Sequence, residues 1–84
     1  MSNPAFQDQP AASDTLTDYD RAHLKLYMRL LDADASGADW QEVTQMLFGI
    51  DVADDPQRAK AVHAAHLTRA KWMTDHGYQQ LLAQ

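Results

Sequence analysis

Eighty-four residues make one domain, and the composition is that of an ordinary globular chain except for a net charge of −5. An acidic balance makes nucleic-acid binding something to be argued for, and the absence of cysteine excludes a disulfide framework or thiolate metal site, as fits a reducing cytoplasm. There is no basic start followed by an apolar run and no stretch nears the roughly 18 apolar residues of a bilayer span, so a cytoplasmic protein with no membrane contact is expected.

Residues 1–16 carry two prolines and small polar side chains around one aromatic, Phe6, and read as a disordered N-terminal tail. Residues 17–84 read as the folded domain. Thr17 is placed to cap a first helix from Asp18 to Leu31, whose Leu24, Tyr27 and Leu31 step by three and four, with Leu26 and Leu30 widening the stripe. A polar turn over Asp32–Ala38 follows. Asp39 then caps a second helix from Trp40 to Phe48, with Glu42 in capping-box position, and Gly49 stops it. Asp55 and Pro56 open a third helix with Ala59, Val62, His66, Ala70 and Met73 on one stripe, reaching His76 before Gly77 caps it. Tyr78, Leu81 and Leu82 read as a short C-terminal helix. The expected fold is all-α: a small three-helix helix-turn-helix variant with an extended turn, since residues 49–55 exceed the usual three- or four-residue connection. A domain of this size buries only about 60% of its unfolded surface, so it is modestly stable or gains stability from a partner.

Asp32-Ala33-Asp34-Ala35-Ser36-Gly37 matches the opening of a calcium-binding EF-hand loop, but the twelfth position, which must be a bidentate acid, is Val43. An acidic turn is the better reading. His63 and His66 stand one turn apart without a third ligand, and His66 lies on the apolar stripe, so a packed histidine is expected and no metal. No nucleophile arrangement, phosphate loop or isolated carboxylate pair marks an enzyme, and no cofactor is implied. Tyr19, Trp40, Trp72 and Tyr78 either close the small core or leave an exposed aromatic pair for a protein partner. Charge is sorted along the chain: Asp32, Asp34, Asp39, Glu42, Asp51, Asp54 and Asp55 fall in one stretch with no base, where a DNA-reading unit would carry cations.

The segments Asp20-Arg21-Ala22-His23-Leu24, Arg29-Leu30-Leu31-Asp32-Ala33, Gly37-Ala38-Asp39-Trp40, Arg58-Ala59, and His66 through Thr74 with Gly77-Tyr78 resemble the extended-turn helix-turn-helix domain carried on proteobacterial integrative and conjugative elements. The resemblance spans about Asp18 to Leu82. It implies transcription control: some members activate element excision and transfer through an additional N-terminal domain and a basic DNA-facing side, and others are stand-alone acidic antiactivators. The short segment before the first helix and the acidic turn both depart from the activator pattern and point to an antiactivator. The partners the resemblance implies are a transcriptional activator of element transfer and LuxR-type quorum-sensing regulators, with no DNA contact and a monomer when free.

The contact is expected from Asp20, His23 and Tyr27 on the first helix with Arg69, Trp72, Met73 and Tyr78 near the C-terminal end, and the seven acids form the DNA-repelling side. A small DNA-binding regulator using Arg58, Lys60, Arg69 and Lys71 is the rival. An acidic mimic of DNA presenting Asp51, Asp54 and Asp55 is a third reading.

Overall fold

Three of the domain's helices pack around the main apolar core, and aspartate caps fix where two of them begin. The computed structural model describes residues 6–10 and 13–77. It is all-helical among those residues: α1 (Asp18–Ala22), α2 (Leu24–Ala35), α3 (Trp40–Phe48) and α4 (Pro56–Trp72), the last continuing into a wide π-helical segment, Met73–Gly77.

The first expected helix is two helices. Thr17 caps α1 in a reciprocal box with Asp20, Thr17 Oγ1 accepting from Asp20 N–H at 3.1 Å and Asp20 Oδ2 from Thr17 N–H at 3.0 Å. The chain then leaves helical geometry at His23 (φ −118°, ψ 22°). Its Nδ1–H donates to the Tyr19 carbonyl at 2.9 Å and its ring stacks on Tyr19 at 4.0 Å, so the side chain competes for the acceptor the backbone ladder uses.

α2 runs one turn further than its apolar stripe suggests, through Asp32 and Asp34 to Ala35. Gly37 (φ 75°) ends it: Gly37 N–H bonds the Asp34 carbonyl and Ala38 N–H the Ala33 carbonyl, a Schellman arrangement. The polar turn therefore shrinks to residues 36–38. On a helix two residues apart, the Asp32 and Asp34 side chains diverge by about 200° and do not converge as loop ligands would.

α3 has the expected bounds. Asp39 caps it by accepting from Gln41 N–H at 3.0 Å, the second helical position, rather than through a box with Glu42. Replacing Asp39 by alanine is expected to lower stability by about 1 kcal/mol through the lost cap; thermal unfolding at an unchanged midpoint would contradict it. Gly49 (φ 68°) closes α3. The long turn after it is held by Asp51, whose Oδ1 accepts from Ala53 N–H at 2.9 Å, and by Ile50, buried in the core. Asp55 caps α4 through Arg58 N–H with Pro56 at the first position.

Leu30, Val43, Phe48, Ile50, Ala59 and Val62 form the main core, while Tyr27, Ala70 and Met73 form a second cluster near the far end of α4. All five residues of the α4 stripe are buried. Its C-terminal turn widens at Met73, where Thr74 Oγ1 takes the Lys71 carbonyl at 2.8 Å, so the expected helical end at His76 gives way to π geometry. The short C-terminal helix expected over Tyr78–Leu82 lies outside the described residues.

The segment before α1, expected to be disordered, is tied down at its described residues. Phe6 packs edge-on against Phe48 at 5.1 Å, Gln7 N–H donates to the Tyr19 hydroxyl at 2.9 Å, and Asp8 pairs with Arg58. Composition scores these residues as polar, but one aromatic and one carboxylate suffice to anchor them once α3 and α4 present their partners.

Candidate functional site

Five of the seven residues expected to meet a partner are inside the domain. Asp20, His23, Tyr27, Arg69 and Met73 are all buried; Trp72 is half-buried, and Tyr78 lies outside the described residues. Asp20 and Arg69 form an ion pair in which Nη2 donates to Oδ2 at 2.6 Å and Nε to Oδ1 at 3.0 Å, with Asp20 wholly without solvent exposure. The Tyr27 hydroxyl donates to the same Oδ1 at 2.9 Å. Arg69 also donates to the Ser13 and Thr15 carbonyls at 2.6 and 3.0 Å, so it fastens the segment before α1 to α4. Its guanidinium lies 3.8 Å over the Trp72 ring. Burial pushes the Asp20 carboxyl up, but the bonds from Arg69, Thr17 and Tyr27 outweigh it and hold the group below its ordinary 3.8. Burial and the Asp20 carboxylate together push the Tyr27 hydroxyl far up, so it remains a donor.

His66 is a second interior polar group. Its Nδ1–H donates to the Val62 carbonyl at 2.8 Å, which fixes the neutral tautomer, and Nε2 accepts from the Tyr19 hydroxyl at 2.7 Å. Burial pushes its pKa below 6.5 despite the Val62 bond. A lowered histidine pKa means that the folded chain resists the proton, so stability is full above about pH 6.5 and declines as pH falls through the folded value. Melting midpoints measured from neutral pH down to about pH 5 are expected to decline less in His66→Phe than in the parent chain; equal slopes would assign the decline to other groups.

The helix-turn-helix exterior is acidic. Asp32, Asp34, Asp39, Glu42, Asp51, Asp54 and Asp55 are all exposed. Asp34 is 3.7 Å from Lys71 Nζ, and Asp39, Asp51 and Asp55 double as local caps. Of the four cations considered for DNA, Arg69 is buried in its pair with Asp20. Arg58, at the entry of α4, is clamped by Asp8, with Nη2 to Oδ1 at 2.9 Å and Nε bonded to both oxygens at 3.2 Å. That bond outweighs desolvation, which acts the other way, and holds the Asp8 carboxyl below its ordinary value. Lys60 is exposed and has no ion-pair partner among the described residues. The Asp8 clamp was not legible in the sequence, because the two residues are 50 positions apart.

The family model described as a T6SS transcription factor DNA-binding domain matches residues 3–83. The chain belongs to that family. Transcription control is thereby shown, and the family is not one of enzymes. The match starts ahead of α1, so the anchored segment falls within the family's span. No curated protein matches the chain. A DNA-binding family lends no support to an absence of DNA affinity, and the antiactivator, conjugative-transfer and quorum-sensing parts of the expectation are finer than the match. Among the described residues no group of histidines and acids is arranged to hold a metal, and no helix is long and apolar enough to cross a membrane.

Proposed function

We propose that this chain is an antiactivator: a helix-turn-helix domain that engages a transcriptional activator of element transfer, and LuxR-type regulators as further targets, without carrying them to DNA. The observation that carries the reading is the entry of α4. There Asp51, Asp54 and Asp55 are exposed and Asp8 occupies the guanidinium of Arg58, which leaves Lys60 as the unpaired cation of that helix's first turns. Non-specific DNA affinity comes almost wholly from neutralising phosphates and releasing counterions, so an entry of this charge opposes approach. The shared fold lets the chain present surfaces of the kind an activator's own domain presents.

A gel shift on the activator's promoter at low salt tests this. The chain alone should leave the promoter unshifted at micromolar concentration, and it should remove the shift caused by the activator. A shift by the chain alone would favour the second reading, a DNA-binding regulator working through Arg58, Lys60 and Lys71, which the family match favours. If neutralising Asp51, Asp54 and Asp55 abolishes removal of the activator's shift, the acids act as a DNA mimic.

A further inference from the structure

We propose that the face of α2 centred on Arg29, flanked by α3 on one side and by the Met73–Gly77 segment on the other, docks an acidic amphipathic helix of a partner protein. Met28 and Met46 are 70% and 79% exposed, the large hydrophobic side chains that stand out in solvent among the described residues. They sit at two neighbouring hollows. One, of about 680 Å³, is lined by Met28, Leu31, Ala35 and Thr74; the other, of about 230 Å³, by Ala33, Val43, Met46 and Leu47. Arg29 lines both and stands between them. A helix with apolar residues at three- and four-residue spacing can seat one in each hollow, with methionine adapting to the shape it meets.

Charge selects the partner's sign. Lys25 and Arg29 lie one turn apart, both exposed, and neither has an ion-pair partner among the described residues, whereas Arg58, Arg69 and Lys71 are paired with Asp8, Asp20 and Asp34. On a chain of net charge −5, two adjacent unpaired cations beside exposed methionines mark where acid on a partner is welcome. Asp32 lines the larger hollow and the exposed Glu42 stands one turn before Met46 on α3, so Arg29, which lines both hollows, is where the partner's acid is received. Exposed methionine with arginine is the composition of a protein interface, whereas phosphates gain nothing from Met28 or Met46 and are repelled by Asp32. That the partner is a transcriptional activator rests on the antiactivator reading; the face and its chemistry do not.

The test places a benzoylphenylalanine photo-crosslinker at Met28 or Met46 of the full chain in its host, followed by mass-spectrometric sequencing of the crosslinked peptide. Both positions are expected to label one segment of one protein, with net negative charge and helical apolar spacing. Lys25→Glu with Arg29→Glu should reduce the yield by about tenfold or more at an unchanged melting midpoint. Met28→Asp provides a second variant if that midpoint moves. Labelling of a second copy of this chain, of a segment without net negative charge, or at a yield no greater than from a crosslinker at Lys60 overturns the proposal. An acidic helix on a protein unrelated to transcription upholds the face and removes the antiactivator reading. Undiminished removal of the activator's promoter shift by the charge-reversed chain removes the face and leaves the antiactivator.

Discussion

Arg69→Met is expected to lower the unfolding free energy by about 3–5 kcal/mol, because it strips the counter-ion from a carboxylate that has no access to water. Asp20 is fully enclosed and receives its strongest bonds from that guanidinium. Loss of Arg69 also frees the Ser13 and Thr15 carbonyls and the stack on Trp72. Against a total stability of about 5–15 kcal/mol for native domains, with one this small towards the lower end, the change leaves a measurable unfolded fraction at room temperature.

Chemical denaturation of the single variant and of Asp20→Asn/Arg69→Met separates charge from packing. Asparagine keeps an oxygen for the Tyr27 hydroxyl but carries no charge, so the double variant should recover part of the loss. A double variant no more stable than Arg69→Met alone would show that the lost contacts, not the stranded charge, dominate. The pH dependence has a definite sign. In the parent chain the Asp20 carboxyl lies below its ordinary 3.8, so its contribution is present above about pH 4 and is lost as pH falls through the lowered folded value. In Arg69→Met, burial acts without the guanidinium and raises the carboxyl. That variant should gain stability relative to the parent as pH falls from neutral towards pH 4.

The legible parts of this fold are those in which chemistry and sequence neighbourhood coincide. Asp39 and Asp55 mark the starts of α3 and α4 because a cap acts on backbone groups two or three residues away. Ala59, Val62, His66, Ala70 and Met73 are buried together because spacing of three and four repeats on one side of any α-helix. His66 was legible as a packed residue from its place on that stripe. The break at His23 was not legible, since no proline or glycine marks it and the ring acts through a bond to Tyr19 that only the fold reveals. Asp20 and Arg69 are 49 positions apart, so composition places each on a solvated face. One signal was available: Arg69 follows His66 by three and Val62 by seven, inside the buried stripe, and an arginine there needs an internal anion. The exposed methionines were equally silent, because periodicity ranks Met28 and Met46 as apolar without saying which side of α2 or α3 the core takes.

Converting Asp8, Asp51, Asp54 and Asp55 to asparagine is expected to give the chain a DNA affinity at least about tenfold above that of the parent at low salt. Asparagine caps about as well as aspartate, so Asp51 and Asp55 keep their bonds to Ala53 and Arg58 N–H and the fold is retained. Four negative charges leave the entry of α4, and Arg58 is released from its carboxylate clamp to stand beside Lys60. With two cations meeting phosphates, the slope of log affinity against log salt should be about −2. Adding Arg58→Ala should reduce that slope by about one. Fluorescence anisotropy with a labelled duplex across a salt series reads both quantities. If the parent chain binds as tightly as the variant, the acidic entry is no barrier and the antiactivator reading loses its physical basis. If neither binds, charge is not what keeps DNA away, and the seven-residue connection at 49–55 has set α4 at an angle that the major groove does not accept.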